Sequence, residues 1–271
     1  MPQLSRPLAL IALALVATPA TGRAQSLWPD SLRGGGEIGL EWVRPTFENG
    51  DDSFSSTRGI WILSGRVRAS DRLNLVAAIP RIVATDESGG KMMGNPYVGV
   101  EFLKPDHTPE FSIGMRLLMA DNTFSPARNV GFFGDYDRLE SVITHALIVT
   151  ATGYHEPFRS EDGTYARLRF GATFFRYTGD FAGGNEMYFN YGVRVGRDAP
   201  NVRLSAEVTG RWWLNSGGAS LAQATTHQGA LTASFLHGPV QPYVGIRAPV
   251  DEDLKGVLRY VLTFGVVLGV Q

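Results

Sequence analysis

The stretch NVRLSAEVTGRWWL, residues 201–214, sorts its side chains by every second position. Val202, Leu204, Ala206, Val208, Gly210, Trp212 and Leu214 form one column, and Arg203, Ser205, Glu207, Thr209 and Arg211 form the other. Successive side chains of a β-strand point to opposite faces of its sheet, so this alternation predicts a strand that separates two media. Charges at this density exclude a strand buried in protein on both faces. Two architectures remain. In a soluble sandwich the apolar column is core and the polar column meets water. In a membrane barrel the apolar column meets lipid and the polar one the lumen.

The rest of the chain chooses the barrel. In EFSIGMRLLMA, Phe111, Ile113, Met115, Leu117 and Met119 oppose Ser112, Gly114 and Arg116; in ARLRFGATFF, Ala166, Leu168, Phe170, Ala172 and Phe174 oppose Arg167, Arg169, Gly171 and Thr173. The last segment sets Leu258, Tyr260, Leu262, Phe264, Val266 and Leu268 against Arg259, Thr263, Gly265 and Gly269. Segments of this kind lie near 34–46, 58–70, 73–84, 95–104, 109–120, 139–152, 164–178, 186–197, 201–215, 228–237, 240–248 and 257–270. They predict an all-β, antiparallel, up-and-down transmembrane barrel of about twelve strands, the even number that puts both termini on one side. The sixth segment, ESVITHALIVTA, resists assignment, because its apolar residues fall on both faces.

Connection lengths support the same reading. SDR, PDHTP, RDAPN and HGPV are short and rich in turn formers, whereas ENGDDSFSST, TDESGGKMMG, DNTFSPARNVGFFGDYDR, GDFAGGN, NSGGASLAQATTH and PVDEDLKG are longer and fall at the opposite end. Short periplasmic turns facing longer outer loops are what outer-membrane barrels show. YHEPFRSEDG, after the sixth segment, is longer than the rule wants. Aromatics fall in two belts: Trp42, Trp61, Trp212, Phe174, Tyr191 and Tyr260 near outer strand ends, Phe102, Phe111 and Phe235 near periplasmic ones, as rings that prefer the headgroup level would.

The first residues, MPQLSRPLALIALALVATPATGRAQS, carry a basic start, an apolar run too short to span a bilayer, and an A-x-A-like site. They predict a signal peptide over 1–24, the alternative being an N-terminal anchor, then a periplasmic stub over 25–33 and the barrel over 34–271. No later run is long enough for a membrane helix. Cysteine is absent, so an exported fold must be held by something other than disulfides. A formal net charge of −1 carries no signature of nucleic-acid binding. The basic residues are arginines apart from Lys91, Lys104 and Lys255.

The predicted register sends Arg66, Arg68, Arg116, Arg167, Arg169, Arg194, Arg203, Arg211, Arg247 and Arg259 into the lumen, against Glu37, Glu41, Glu101 and Glu207. Charges inside a lipid-sheathed wall need water or an opposite charge. Either Arg–Glu ladders plug the lumen or water fills it, and the excess of arginine favours some water. Twelve strands fall between a filled barrel and an open one, so the expectation is a narrow passage that favours small anionic solutes through guanidinium forks, with no cofactor and no metal. The loop residues Phe124, Phe132, Phe133 and Tyr136 are too apolar for an idle surface: they either fold inward as a constriction or form an outer interaction surface, the latter suiting a non-conducting scaffold. Acidic pairs such as Asp51 and Asp52, Asp86 and Glu87, Asp135 and Asp137 predict solvated outer loops facing lipopolysaccharide, with weak divalent-cation bridging as the alternative. An enzyme would need a nucleophile and base. Ser141 and His145 are the candidates, but on one strand they would stand about 13 Å apart, out of reach of each other.

GNPYVGVEF at 94–102, preceded by LNLVAAIP at 73–80 within a twelve-strand layout, resembles the outer-membrane family named for the MetA pathway of phenol degradation. The resemblance implies a transporter encoded near degradation pathways and, with the arginine column, small anionic or aromatic organic solutes. The chain departs from the usual barrel ending by closing on Val270-Gln271 without a terminal aromatic.

Overall fold

The computed structural model describes residues 36–48, 59–84, 90–106, 108–120, 125–178, 184–217, 220–236 and 238–270. The expected signal peptide and stub lie outside them, as does Phe124.

The strands are β1 (Gly36–Phe47), β2 (Gly59–Ser70), β3 (Leu73–Val83), β4 (Lys91–Met93), β5 (Tyr97–Leu103), β6 (Pro109–Arg116), β7 (Ala146–Arg159), β8 (Thr164–Tyr177), β9 (Asn185–Asp198), β10 (Val202–Trp213), β11 (Thr225–Phe235), β12 (Val240–Pro249) and β13 (Leu258–Val270). All pair antiparallel with their neighbours, and β1 meets β13 from Gly36 opposite Val270 upwards. This closure leaves the sheet without a free edge, which is what a backbone surrounded by hydrocarbon requires. β4 and β5 both pair with β3 and together make one interrupted stave, so the barrel has twelve. The break falls at Gly94-Asn95-Pro96; proline lacks the N–H a ladder needs.

The two columns face as predicted. On β10, Leu204 and Val208 are 56% and 52% exposed on the outer wall, while Arg203 and Arg211 inside are 1% and 4% exposed. Exposed Ile38, Leu40, Leu63, Leu75, Ile79, Val98, Ile113 and Leu231 continue the apolar wall around the barrel. Such a surface is stable against lipid and not against water. At the outer rim Trp42 stacks on Trp61 and on Phe264, each at 5.7 Å between centroids, and at the other end Phe102 meets Phe111 at 6.1 Å. Among the described residues no helix is long and apolar enough to cross a membrane.

Three expectations need correction. The sixth strand runs over Ala146–Arg159 and not 139–152; residues Tyr136–Ser141 form a 3-10 turn instead. Its two-faced pattern has that origin: half of the segment was never a strand. The shift also removes the overlong periplasmic connection. Only residues 160–163 remain as the turn, where Gly163 takes φ +85° and where hydrogen bonds from the Ser160 and Thr164 side chains and the Thr164 amide hold the Asp162 carboxyl below the usual range. Finally, Arg259 does not enter the lumen. The β1–β13 pairing slips between Thr46 and Phe47, a bulge that turns Leu258 inward to 1% exposure and leaves the Arg259 side chain 59% exposed, bonded to Glu48 at 2.9 Å.

Candidate functional site: the lumen and its inward loop

The lumen is layered. Its outer third is apolar: Val43, Ile60, Ile62 and Ile82 on the wall pack with Ala127, Val130 and Val142 of the long loop and with Leu258 and Val261. The loop folds inward. It forms α1 (Pro126–Gly134), begun by Ser125, whose hydroxyl accepts from the Arg128 amide at 3.3 Å, and then the 3-10 turn. At Gly131 a side chain would collide with Val142, so glycine lets α1 sit hard against the returning chain. Phe132 and Phe133 are half-buried and meet edge-to-face at 5.1 Å, Tyr136 stands 6.5 Å from Phe132, and the Tyr136 hydroxyl accepts from Thr226 at 3.2 Å. Phe132 packs against the apolar cluster of the outer lumen.

Below this apolar layer the loop supplies carboxylates. Asp135, Glu140 and Asp137 are not solvated outer residues: Asp135 is 1% and Glu140 5% exposed, and Asp137, like them, pairs with arginine. Asp135 accepts from Arg138 at 2.5 Å and from Arg247 at 3.0 Å. Arg138 also pairs with Glu41, which accepts the Tyr243 hydroxyl. Arg169 lies 3.6 Å from Asp137, and Arg211 pairs with Glu140 while donating to Asn190 at 2.9 Å and to the Tyr136 carbonyl at 3.2 Å. Towards the periplasm, Arg66 bridges Glu37 and Glu101, Arg194 binds Glu207 at 2.7 Å, Arg203 pairs with Asp198, and Arg167 with Glu156 at 2.6 Å. Arg68 is half-buried on the same face of β2 as Arg66. The inward arginines are thus largely met by carboxylates. The sequence-based excess of arginine arose because the acids of the loop, of the misplaced part of β7 and of the β9 end were counted elsewhere.

The stave interruption holds the loop in place. Asn95 is fully buried. Its side-chain amide donates to the carbonyls of Glu140 (3.1 Å) and Ile143 (2.6 Å) and accepts from the amides of Met119 (2.9 Å) and Ala120 (2.8 Å). Its own N–H reaches the Ser141 carbonyl at 2.6 Å. All four hydrogen-bonding valences of one side chain are used, and at Gly94 a Cβ would collide with that same Ser141 carbonyl. Ser141 ends the 3-10 turn, and His145, at φ 56°, makes the corner into β7; neither stands on a strand.

Between the 3-10 turn and the Glu37–Arg66–Glu101 cluster lies a cavity of about 230 Å³. Tyr97, Tyr154 and Tyr243 line it together with Arg116, Thr150 and Thr152. The Tyr97 ring lies over Gly114 and the Tyr243 ring over Gly265, positions where any Cβ would strike the ring. Sequence reasoning missed these tyrosines: Tyr154 fell in a supposed turn, and a tyrosine column carries no signal beside an arginine one. Inward positions opposite glycine were the available clue. No group of three or more metal-ligating side chains occurs among the described residues.

A closed twelve-strand wall, apolar outside and polar within, with its hairpin turns at one end and its long loops at the other, defines a β-barrel of the outer membrane. No protein-family model and no curated protein matches the chain. Among solved structures it is similar to LpxR from Salmonella typhimurium, at 10% identity with a TM-score of 0.51 over 86% of this chain and 100% of that one. It is also similar to the translocator domain of the autotransporter NalP from Neisseria meningitidis, at 11% identity with a TM-score of 0.47 over 98% of this chain and 94% of that one. The likeness to LpxR is one of fold.

Proposed function

We propose that the protein is a narrow outer-membrane channel for passive passage of small organic solutes, anionic or aromatic, with the inward loop as its constriction. The observation that carries this reading is the loop itself: residues of 137–141 close one side of a cavity that is lined by tyrosines, arginines and carboxylates, a polar surface with ring faces that suits a small flat or anionic molecule. The sequence resemblance to the phenol-degradation barrel family points the same way. The reading assigns no catalytic step, cofactor or nucleic acid; its partners are lipid, lipopolysaccharide and the solute. The mutual pairing of the arginines favours a second reading, a non-conducting scaffold that acts through its outer surface. Planar-bilayer recording decides between them. The channel reading expects small unitary currents from the folded wild type and larger ones when residues 126–141 are replaced by a short glycine-serine linker. A folded wild type and a folded loop variant that both pass no current would leave the scaffold.

A further inference from the structure

Among the described residues, every arginine that lines the cavity but one is paired with a carboxylate. Arg66 has Glu37 and Glu101, Arg138 has Asp135 and Glu41, Arg169 has Asp137, and Arg211 has Glu140. Arg116, on β6, makes one hydrogen bond among the described residues, from Nη1 to the Asn95 carbonyl at 3.0 Å, and lies 5.7 Å from the Tyr97 ring centroid. A guanidinium has five N–H donors, and a carbonyl and a ring face neutralise none of its charge. A half-buried cation on a cavity wall is stable only when water or an anion completes it.

We propose that Arg116 is the anion-binding group of a solute site in this cavity, and that the site takes small organic monoanions with a flat apolar body, of which an aromatic monocarboxylate is the simplest. The inference rests on the channel reading for its biological use but not for its chemistry. Size sets one limit: about 230 Å³, set beside the cavity of about 150 Å³ that accepts benzene, holds a single ring with one small substituent. Charge sets the second. Glu37, Glu41, Glu101 and Glu140 also line the cavity, so a second negative charge on the solute would face carboxylates, whereas the first is met by Arg116. Shape sets the third. Ile62, Val76, Ala78 and Pro80 give the lining apolar surface, and Tyr97 and Tyr154 line the same cavity, which suits a ring whose carboxylate reaches Arg116 in the bidentate manner.

The test is calorimetric titration of the full-length barrel, refolded in detergent and checked by heat-modifiable gel mobility, with benzoate, the dianion phthalate and neutral benzyl alcohol as probes. Saturable benzoate binding at least tenfold tighter than either other probe is expected, with at least a tenfold loss in Arg116→Gln and partial retention in Arg116→Lys. Equal affinity for benzoate and benzyl alcohol, or benzoate binding unchanged in Arg116→Gln, overturns the proposal. Should Arg116→Gln fail to fold, the wild-type comparison of the three probes still decides, since absent benzoate binding alone is fatal. Bilayer currents separate the two readings: conduction by a barrel that binds no benzoate removes this site and leaves the channel, while benzoate binding by a barrel that passes no current keeps the site and removes the channel.

Discussion

Replacing Asn95 with alanine removes the latch between the broken stave and the inward loop while leaving the barrel ladder untouched. Two N–H groups, of Met119 and Ala120, and two carbonyls, of Glu140 and Ile143, lose their partners. A buried polar group left without a partner costs about 1–3 kcal/mol. Glu140 is buried, whereas Met119 is exposed and Ala120 and Ile143 half-buried, so water can reach three of the four, which take the lower figure. The sum is about 4–6 kcal/mol. The cost falls on the loop, because the apolar contacts of α1 and the Arg138–Glu41 and Arg247–Asp135 pairs survive. At about 1.4 kcal/mol per tenfold, amide exchange across residues 139–143 should then speed up by a factor on the order of 10³–10⁴, while exchange in β9 and β10 stays unchanged. Hydrogen exchange read by mass spectrometry on the folded variant measures this directly. Asn95→Asp should do no better, since it keeps the acceptor for Met119 and Ala120 but turns a carboxylate towards two carbonyls. Unchanged protection of 139–143 in a folded Asn95→Ala barrel would refute the latch.

Other perturbations probe the wall and the lumen separately. Val208→Arg places a cation on the lipid face near the middle of β10 and should cost about 2–4 kcal/mol in unfolding titrations in lipid vesicles; an equal cost for Asn201→Arg, in the periplasmic turn, would mean that the lipid-facing register is wrong. Asp135→Ala strips a carboxylate from both Arg138 and Arg247 and should destabilise the barrel by about 3–5 kcal/mol, with the double variant Asp135→Ala/Arg247→Ala less affected than the sum of the two single changes. His145→Gly should be neutral or stabilising by about 1 kcal/mol in the same titrations, because the corner at φ 56° is left-handed backbone that glycine adopts freely; His145→Val should destabilise.

The sequence by itself determined the wall. Alternation is a local record of the two media on either side of each strand, so Leu204 and Arg203 were assigned to opposite faces without any knowledge of their neighbours. Strand number, the ends that carry turns and loops, and the two aromatic belts followed from the same pattern, since each depends only on where a residue sits along its own strand and relative to the membrane. What fills the lumen was decided by tertiary structure. Asp135 and Asp137 read as surface acids because a loop carries no period to reveal which way it folds, and Glu140 read as part of a strand that in fact begins at Ala146. Their inward course depends on Asn95, some 45 residues away in the chain, finding two carbonyls, and on Gly131 fitting beside Val142. The same long-range fit set the start of β7 at Ala146, carried Arg259 out of the lumen through a one-residue slip against β1, and left Arg116 as the cavity arginine without a carboxylate among the described residues. Pairing of charges is a property of which strands and loops meet across a closed barrel, and no single strand encodes its partner on the far side.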